Sequence, residues 1–142
     1  MRNLRMLGLW LVIGLALAAC AGSGRPAETT IAIAVADFHF TPNNLEVTAG
    51  QPVKLTIHNT SELDHDFSIM VIPLVGTAEE TGGMEHDMGN ASADPQLHIA
   101  VGGGQTGTLE FTPTKPGTYD FWCTVSGHKE AGLTGSMVVL AP

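Results

Sequence analysis

The sequence predicts an all-β domain, an antiparallel sandwich or barrel of seven or eight short strands. Three observations carry that reading. Apolar residues alternate with polar or small ones in short runs. Gly, Pro or Asn bounds each run. Beyond the first 20 residues no segment sustains a helical period. Many short strands in a chain of this length close on themselves as a sandwich or barrel.

The strands follow in order. Ile31, Ile33 and Val35 alternate with Ala32, Ala34 and Ala36. Leu45 and Val47 keep the same period, and Val53, Leu55 and Ile57 alternate with Lys54, Thr56 and His58. Further runs are Phe67–Ile72, Leu97–Val101, Thr106–Thr112, Thr118–Cys123 and Ser136–Leu140. In the run ending at Cys123, Tyr119 and Phe121 share its face and Trp122 takes the opposite one. Core packing is the default role of these aromatics. Residues 73–96 break the rhythm. They carry Gly76, Gly82, Gly83, Gly89 and Pro95 and few large apolar residues, and they are too many for a hairpin loop. We read them as an insertion, functional or mobile. Gly102-Gly103-Gly104 is a turn; it lacks the Lys and helix of a phosphate loop.

The start of the chain stands apart. Arg2 and Arg5 precede an almost wholly apolar Leu7–Ala19, shorter than the roughly 20 residues a membrane span needs. This is the pattern of a secretory signal. It ends Leu17-Ala18-Ala19-Cys20, which resembles a bacterial lipoprotein signal. The resemblance implies cleavage before Cys20, acylation of that cysteine and an extracytoplasmic, membrane-anchored protein. Two or more acyl chains hold a protein on a bilayer stably. A plain secretion signal with an incidental cysteine is the alternative. The expected organisation is therefore a signal over residues 1–19, a lipidated tether over 20–29 with Gly22, Gly24 and Pro26, and one domain over 30–142.

Charge and cysteines narrow the function. Loss of residues 1–19 leaves four basic against 14 acidic residues, a net charge of −10. Such a surface disfavours nucleic acid and bare anionic lipid and suits a basic protein partner, though solubility alone also accounts for it. With Cys20 acylated, Cys123 has no disulfide partner. A lone thiol in an oxidising compartment is a liability unless something occupies it, and a metal does so.

The chemistry lies in CTVSGHKEAGL, residues 123–133. A cysteine at a strand end and a histidine five residues later can meet across a loop turning at Gly127. One thiolate with imidazole suits copper, and zinc less specifically. A trigonal copper site needs a second imidazole. His65, opening the apolar run HDFSIMV, is the best candidate.

At this point a resemblance becomes specific. TPNNLEVTAGQPVKLTIHN (41–59), LDHDF (63–67) and TPTKPGTYDFWCTVSGHKEAGLTGSMVV (112–139) resemble the early strands, first histidine loop and ligand-bearing hairpin of plastocyanin- and auracyanin-like cupredoxins. The resemblance implies a Greek-key β-sandwich and one type 1 copper held by His65, Cys123 and His128. It also implies one-electron transfer between redox protein partners; a monomer that is not an enzyme is expected. Two positions depart from the family. Leu133 stands where the usual axial methionine does and has no donor atom, so a raised reduction potential is expected. Asp66 stands where many relatives have asparagine; its side chain can accept hydrogen bonds near Thr124, and its charge would oppose the effect of Leu133.

Met84, His86 and Met88 in the insertion form a candidate auxiliary copper site of soft donors, set against the plainer reading of a solvated loop. His39, His58 and His98 are read as structural or surface residues. The rival to electron transfer is a copper protein for storage, delivery or sensing. An enzyme is disfavoured, because the sequence has no His-x-His pair and its single domain cysteine precludes a two-cysteine binuclear centre.

Overall fold

The computed structural model describes residues 27–84 and 94–142. Cys20 and nearly all of the expected signal and tether lie outside the described residues, as do His86 and Met88.

Among the described residues, ten strands form two five-stranded sheets. They are β1 (Thr29–Ala36), β2 (His39–Thr41), β3 (Asn44–Thr48), β4 (Val53–Asn59), β5 (His65–Ile69), β6 (Glu79–Thr81), β7 (Leu97–Val101), β8 (Thr106–Phe111), β9 (Gly117–Trp122) and β10 (Thr134–Leu140). One sheet has the order β2-β1-β4-β8-β6 and the other β3-β10-β9-β5-β7. Each of the eight expected runs contains a strand, though β5 spans His65–Ile69 rather than Phe67–Ile72, and β2 and β6 are short additions of three residues each.

The alternating patterns explain the packing. Ile33, Val35, Leu55, Ile57 and Leu109 of the first sheet are buried, as are Phe67, Ile99, Phe121, Met137 and Val139 of the second. Strand β5 is buried throughout, flanked in its sheet by β7 and β9. The rings of Phe40, Phe67 and Phe121 meet at centroid distances of 4.6–6.2 Å. At Gly135 a β-carbon would collide with the Phe121 ring and the Asn43 carbonyl, so only glycine lets β10 pass this close.

The sheets are not wholly antiparallel. β1 pairs with β4 in parallel, and so does β3 with β10. The chain crosses between sheets after β2, so strands separated in sequence return beside one another running the same way.

The first part of the insertion has its own structure. Leu74 bridges to Pro113, β6 pairs with β8, and Met84 bridges to Ala100 of β7. The segment thus passes from the edge of one sheet to the edge of the other. Gly83 permits the close approach, since a β-carbon there would lie 2.9 Å from Ile99.

Candidate metal centre

His65, Cys123 and His128 come together at one end of the sandwich. His65 is the first residue of β5, and Cys123 directly follows β9. The loop between β9 and β10 carries His128. Its base is pinched by the Cys123 N–H donating to the Leu133 carbonyl at 3.1 Å. Within it, the His128 N–H donates to Val125 and the Leu133 N–H to His128, both at 3.0 Å. Gly127, at φ +83°, supplies a left-handed turn that other residues adopt only with strain.

The donor atoms converge. His128 Nδ1 lies 3.2 Å from His65 Nδ1 and 3.5 Å from Cys123 Sγ. One donor atom from each residue lies within 4.8 Å of the other two. A first-row ion with bonds of about 2.0 Å to imidazole and about 2.3 Å to sulfur, in a trigonal plane, needs edges of roughly 3.5–3.7 Å. The cluster fits such an ion with little movement. Among the described residues it is the one grouping of three or more His, Cys, Asp or Glu side chains with that proximity.

Burial sets the protonation. His65 and Cys123 are buried and His128 is partly so. Burial, and then the neighbouring His128, lower the His65 pKa, so its ring is a neutral donor. Burial, and then the negative Asp66, push the Cys123 thiol up to about 11. The thiol therefore keeps its proton near neutral pH until a cation replaces it.

The surrounding residues orient this triad. Asp66 is buried, and its backbone N–H donates to Cys123 Sγ at 3.4 Å. Its carboxylate accepts from the Ser68 hydroxyl at 2.9 Å, the Thr124 N–H at 2.9 Å and the Thr124 hydroxyl at 2.6 Å. The bond to Thr124 expected from the sequence is present, and it ties the His65 strand to the Cys123 loop. Ser68 and the Thr124 hydroxyl were not anticipated.

Asn59 was missed as well. It is buried, donates to the Leu63 carbonyl at 2.7 Å and the Val101 carbonyl at 2.9 Å, and accepts from Ser61. It thereby shapes the loop leading to His65. An Asn followed by Thr-Ser at a strand end is an Asx-turn signal that could have revealed it.

Leu133 is fully buried. It therefore takes no part in the exposed rim around His128. That rim instead includes Phe38, whose ring meets His128 edge-on at 5.3 Å and is 40% exposed. Asp37, at φ 50°, makes the turn that delivers Phe38; aspartate tolerates this region better than most residues.

The remaining candidates lie apart. Met84 is exposed and held to β7 by its backbone. His39 and His58 are exposed, and His58 bonds to Thr106 at 3.0 Å. Trp122 faces away from Cys123, with the Lys129 ammonium 3.7 Å above its ring.

Comparison with known proteins agrees with this architecture. The family described as the cupredoxin-like domain matches residues 7–80, which include His65 but stop short of Cys123 and His128. The copper-resistant cuproprotein CopI of Rubrivivax gelatinosus is 31% identical over 120 residues, covering 83% of this chain and 70% of that protein. CopI of Pseudomonas aeruginosa is 26% identical over 147 residues, covering 82% and 81%. The auracyanin of Roseiflexus castenholzii has the same fold, with a TM-score of 0.59 and 24% identity over 80% of this chain and 98% of its own. A two-sheet sandwich, a family match over more than half the chain and a relative of this identity lead to one conclusion: the chain belongs to the cupredoxin-like family.

Proposed function

We propose that this is an extracytoplasmic protein that holds one copper ion through His65, Cys123 and His128 and passes single electrons between redox proteins, anchored by lipid on Cys20. The carrying observation is the convergence of two imidazole nitrogens and one thiol at 3.2 and 3.5 Å. This donor set matches copper's preference for thiolate with imidazole.

Copper supplies a one-electron couple between Cu(II) and Cu(I). The protein supplies a fixed cage. The Asp66 carboxylate holds the two ligand-bearing segments together through Thr124, and the Asp66 N–H donates to the cysteine sulfur. Burial of His65 and Cys123 excludes water. A rigid cage lowers the reorganisation that each electron exchange demands, because the donors need not move.

His128 is the half-buried member and faces the surface. Phe38 is exposed against it, Leu63 is exposed two residues before His65, and the acidic side chains Asp37, Glu62, Asp64 and Glu130 lie on the neighbouring loops. An apolar patch with an acidic surround suits weak docking of a partner with a basic face.

A second reading, copper storage or delivery, is favoured by the CopI relatives, which are named as copper-resistant cuproproteins. Exposed Met84 is the described part of the insertion's soft donors. The deciding experiment is a visible absorption titration of the soluble domain with Cu(II), followed by voltammetry. Electron transfer predicts an intense thiolate-to-copper band that saturates at one equivalent, vanishes in Cys123→Ser, and cycles reversibly without loss of metal. Copper that binds without this band, or leaves on each reduction, would make storage or delivery the better account.

A further inference from the structure

This inference deepens the anchored reading and rests on acylation of Cys20. β1 and β4 run side by side, Thr29 beside Val53 and Val35 beside Asn59. At one end the Thr29 N–H donates to the Pro52 carbonyl. At the other, Asn59 bonds to Leu63 and Val101, and Val101 lies opposite His65. The chain therefore enters the domain at the end opposite the His65–Cys123–His128 triad. With eight residues in β1, roughly 23 Å separates the two ends at about 3.3 Å per step.

The covalent link from Cys20 to Thr29 is nine residue steps and reaches at most about 32 Å. To bring the triad to the bilayer, this link would have to run back along the whole domain at about seven tenths of its full reach, beyond the roughly 17 Å typical of a flexible chain of that length. Electrostatics gives no reason to do so. At the triad end Asp37, Glu62, Asp64 and Glu130 outnumber Lys129, and near the entry Glu28 and Glu79 remain beside a Glu110 that is paired with Lys54, so both ends repel anionic headgroups.

We propose that the anchored protein holds its metal triad away from the bilayer. It exchanges electrons with a partner in the aqueous phase, a soluble redox protein or a domain standing clear of the membrane, rather than with a site within the lipid.

Trp122 tests this directly. It is the one tryptophan of residues 20–142 and ends β9, at the triad end. Val75 is exposed at the entry end, where its N–H donates to Thr112 and it shares a cleft with Glu28. The metal-free, full-length lipidated protein is placed on phosphatidylcholine vesicles bearing dansyl headgroups, after mass spectrometry of its N-terminal peptide. Energy transfer from Trp122 is compared with transfer in a Val75→Trp, Trp122→Phe variant. The expected result is clearly weaker transfer from Trp122. As a second measurement needing no variant, lipids brominated on their chains should leave wild-type Trp122 emission unchanged. Transfer from Trp122 equal to or above that from position 75, or quenching by bromine, would overturn the proposal while leaving the anchor intact. An unacylated Cys20 would overturn the anchor and the proposal together.

Discussion

At the scale of single residues, the site is a balance of burial and charge. The Cys123 thiol is pushed up to about 11, chiefly by burial. An unfolded chain releases this proton near 9, so between about pH 9 and 11 the native state binds more protons than the unfolded one. Stability of the metal-free protein must fall across that window. His65 acts oppositely: burial lowers its pKa, so the stability from its neutral ring is present above about 6.5 and declines as pH falls below it. Denaturant unfolding of the metal-free domain should show a plateau between these limits. The alkaline loss should exceed that of Cys123→Ser by about 2 kcal/mol. Equal alkaline slopes in the two proteins would mean that the thiol is not the group responsible. Leu133 is buried and has no donor atom, and it stands at the position the resemblance assigns to the axial methionine. Leu133→Met adds a thioether. If the sulfur reaches the copper and stabilises Cu(II) tenfold more than Cu(I), the midpoint potential drops by about 59 mV. Voltammetry showing no drop or a rise would remove the axial position from the account.

At the scale of elements, the strands present the ligands and the loops aim them. The loop entering β5 depends on Asn59, which makes two donated and two accepted bonds while buried. Asn59→Ala would strip the Leu63 and Val101 carbonyls of these donors. We expect a destabilisation of about 2–4 kcal/mol in urea unfolding, with a weakened thiolate-to-copper band as His65 loses its seat. A cost below about 0.5 kcal/mol would show that the loop holds its shape without Asn59. The strands were legible because period-two alternation reports which face is buried. The loop contacts were not, because they join residues such as Asp66 and Thr124 that lie 58 positions apart. Asp66 could be suspected from the resemblance, whereas Ser68 and Phe38 depended on where the backbone turned.

At the scale of the whole molecule, two sheets enclose one core, and the insertion links their edges. Its opening residues looked like loop by composition. Yet β6 pairs with β8, and Met84 joins β7, because an exposed sheet edge offers unpaired N–H and C=O groups to any adjacent chain. The strand directions put the triad and the chain entry at opposite ends; in the anchored carrier proposed above, this polarity would turn the site outward.

The sequence by itself determined the β class and eight of the ten described strands, because alternation is a local property; the Cys-x4-His spacing pointed to Cys123 and His128, and the family resemblance implied His65. It also carried the departure at Leu133. Only the tertiary structure decided that β1/β4 and β3/β10 run parallel, that Asn59 and Ser68 support the site, that Leu133 is interior and Phe38 forms the rim, and which end faces the tether. The physical reason is common to all of these. Each depends on which distant strands pair and how closely their loops approach, and local patterning of apolar and polar residues does not encode those contacts.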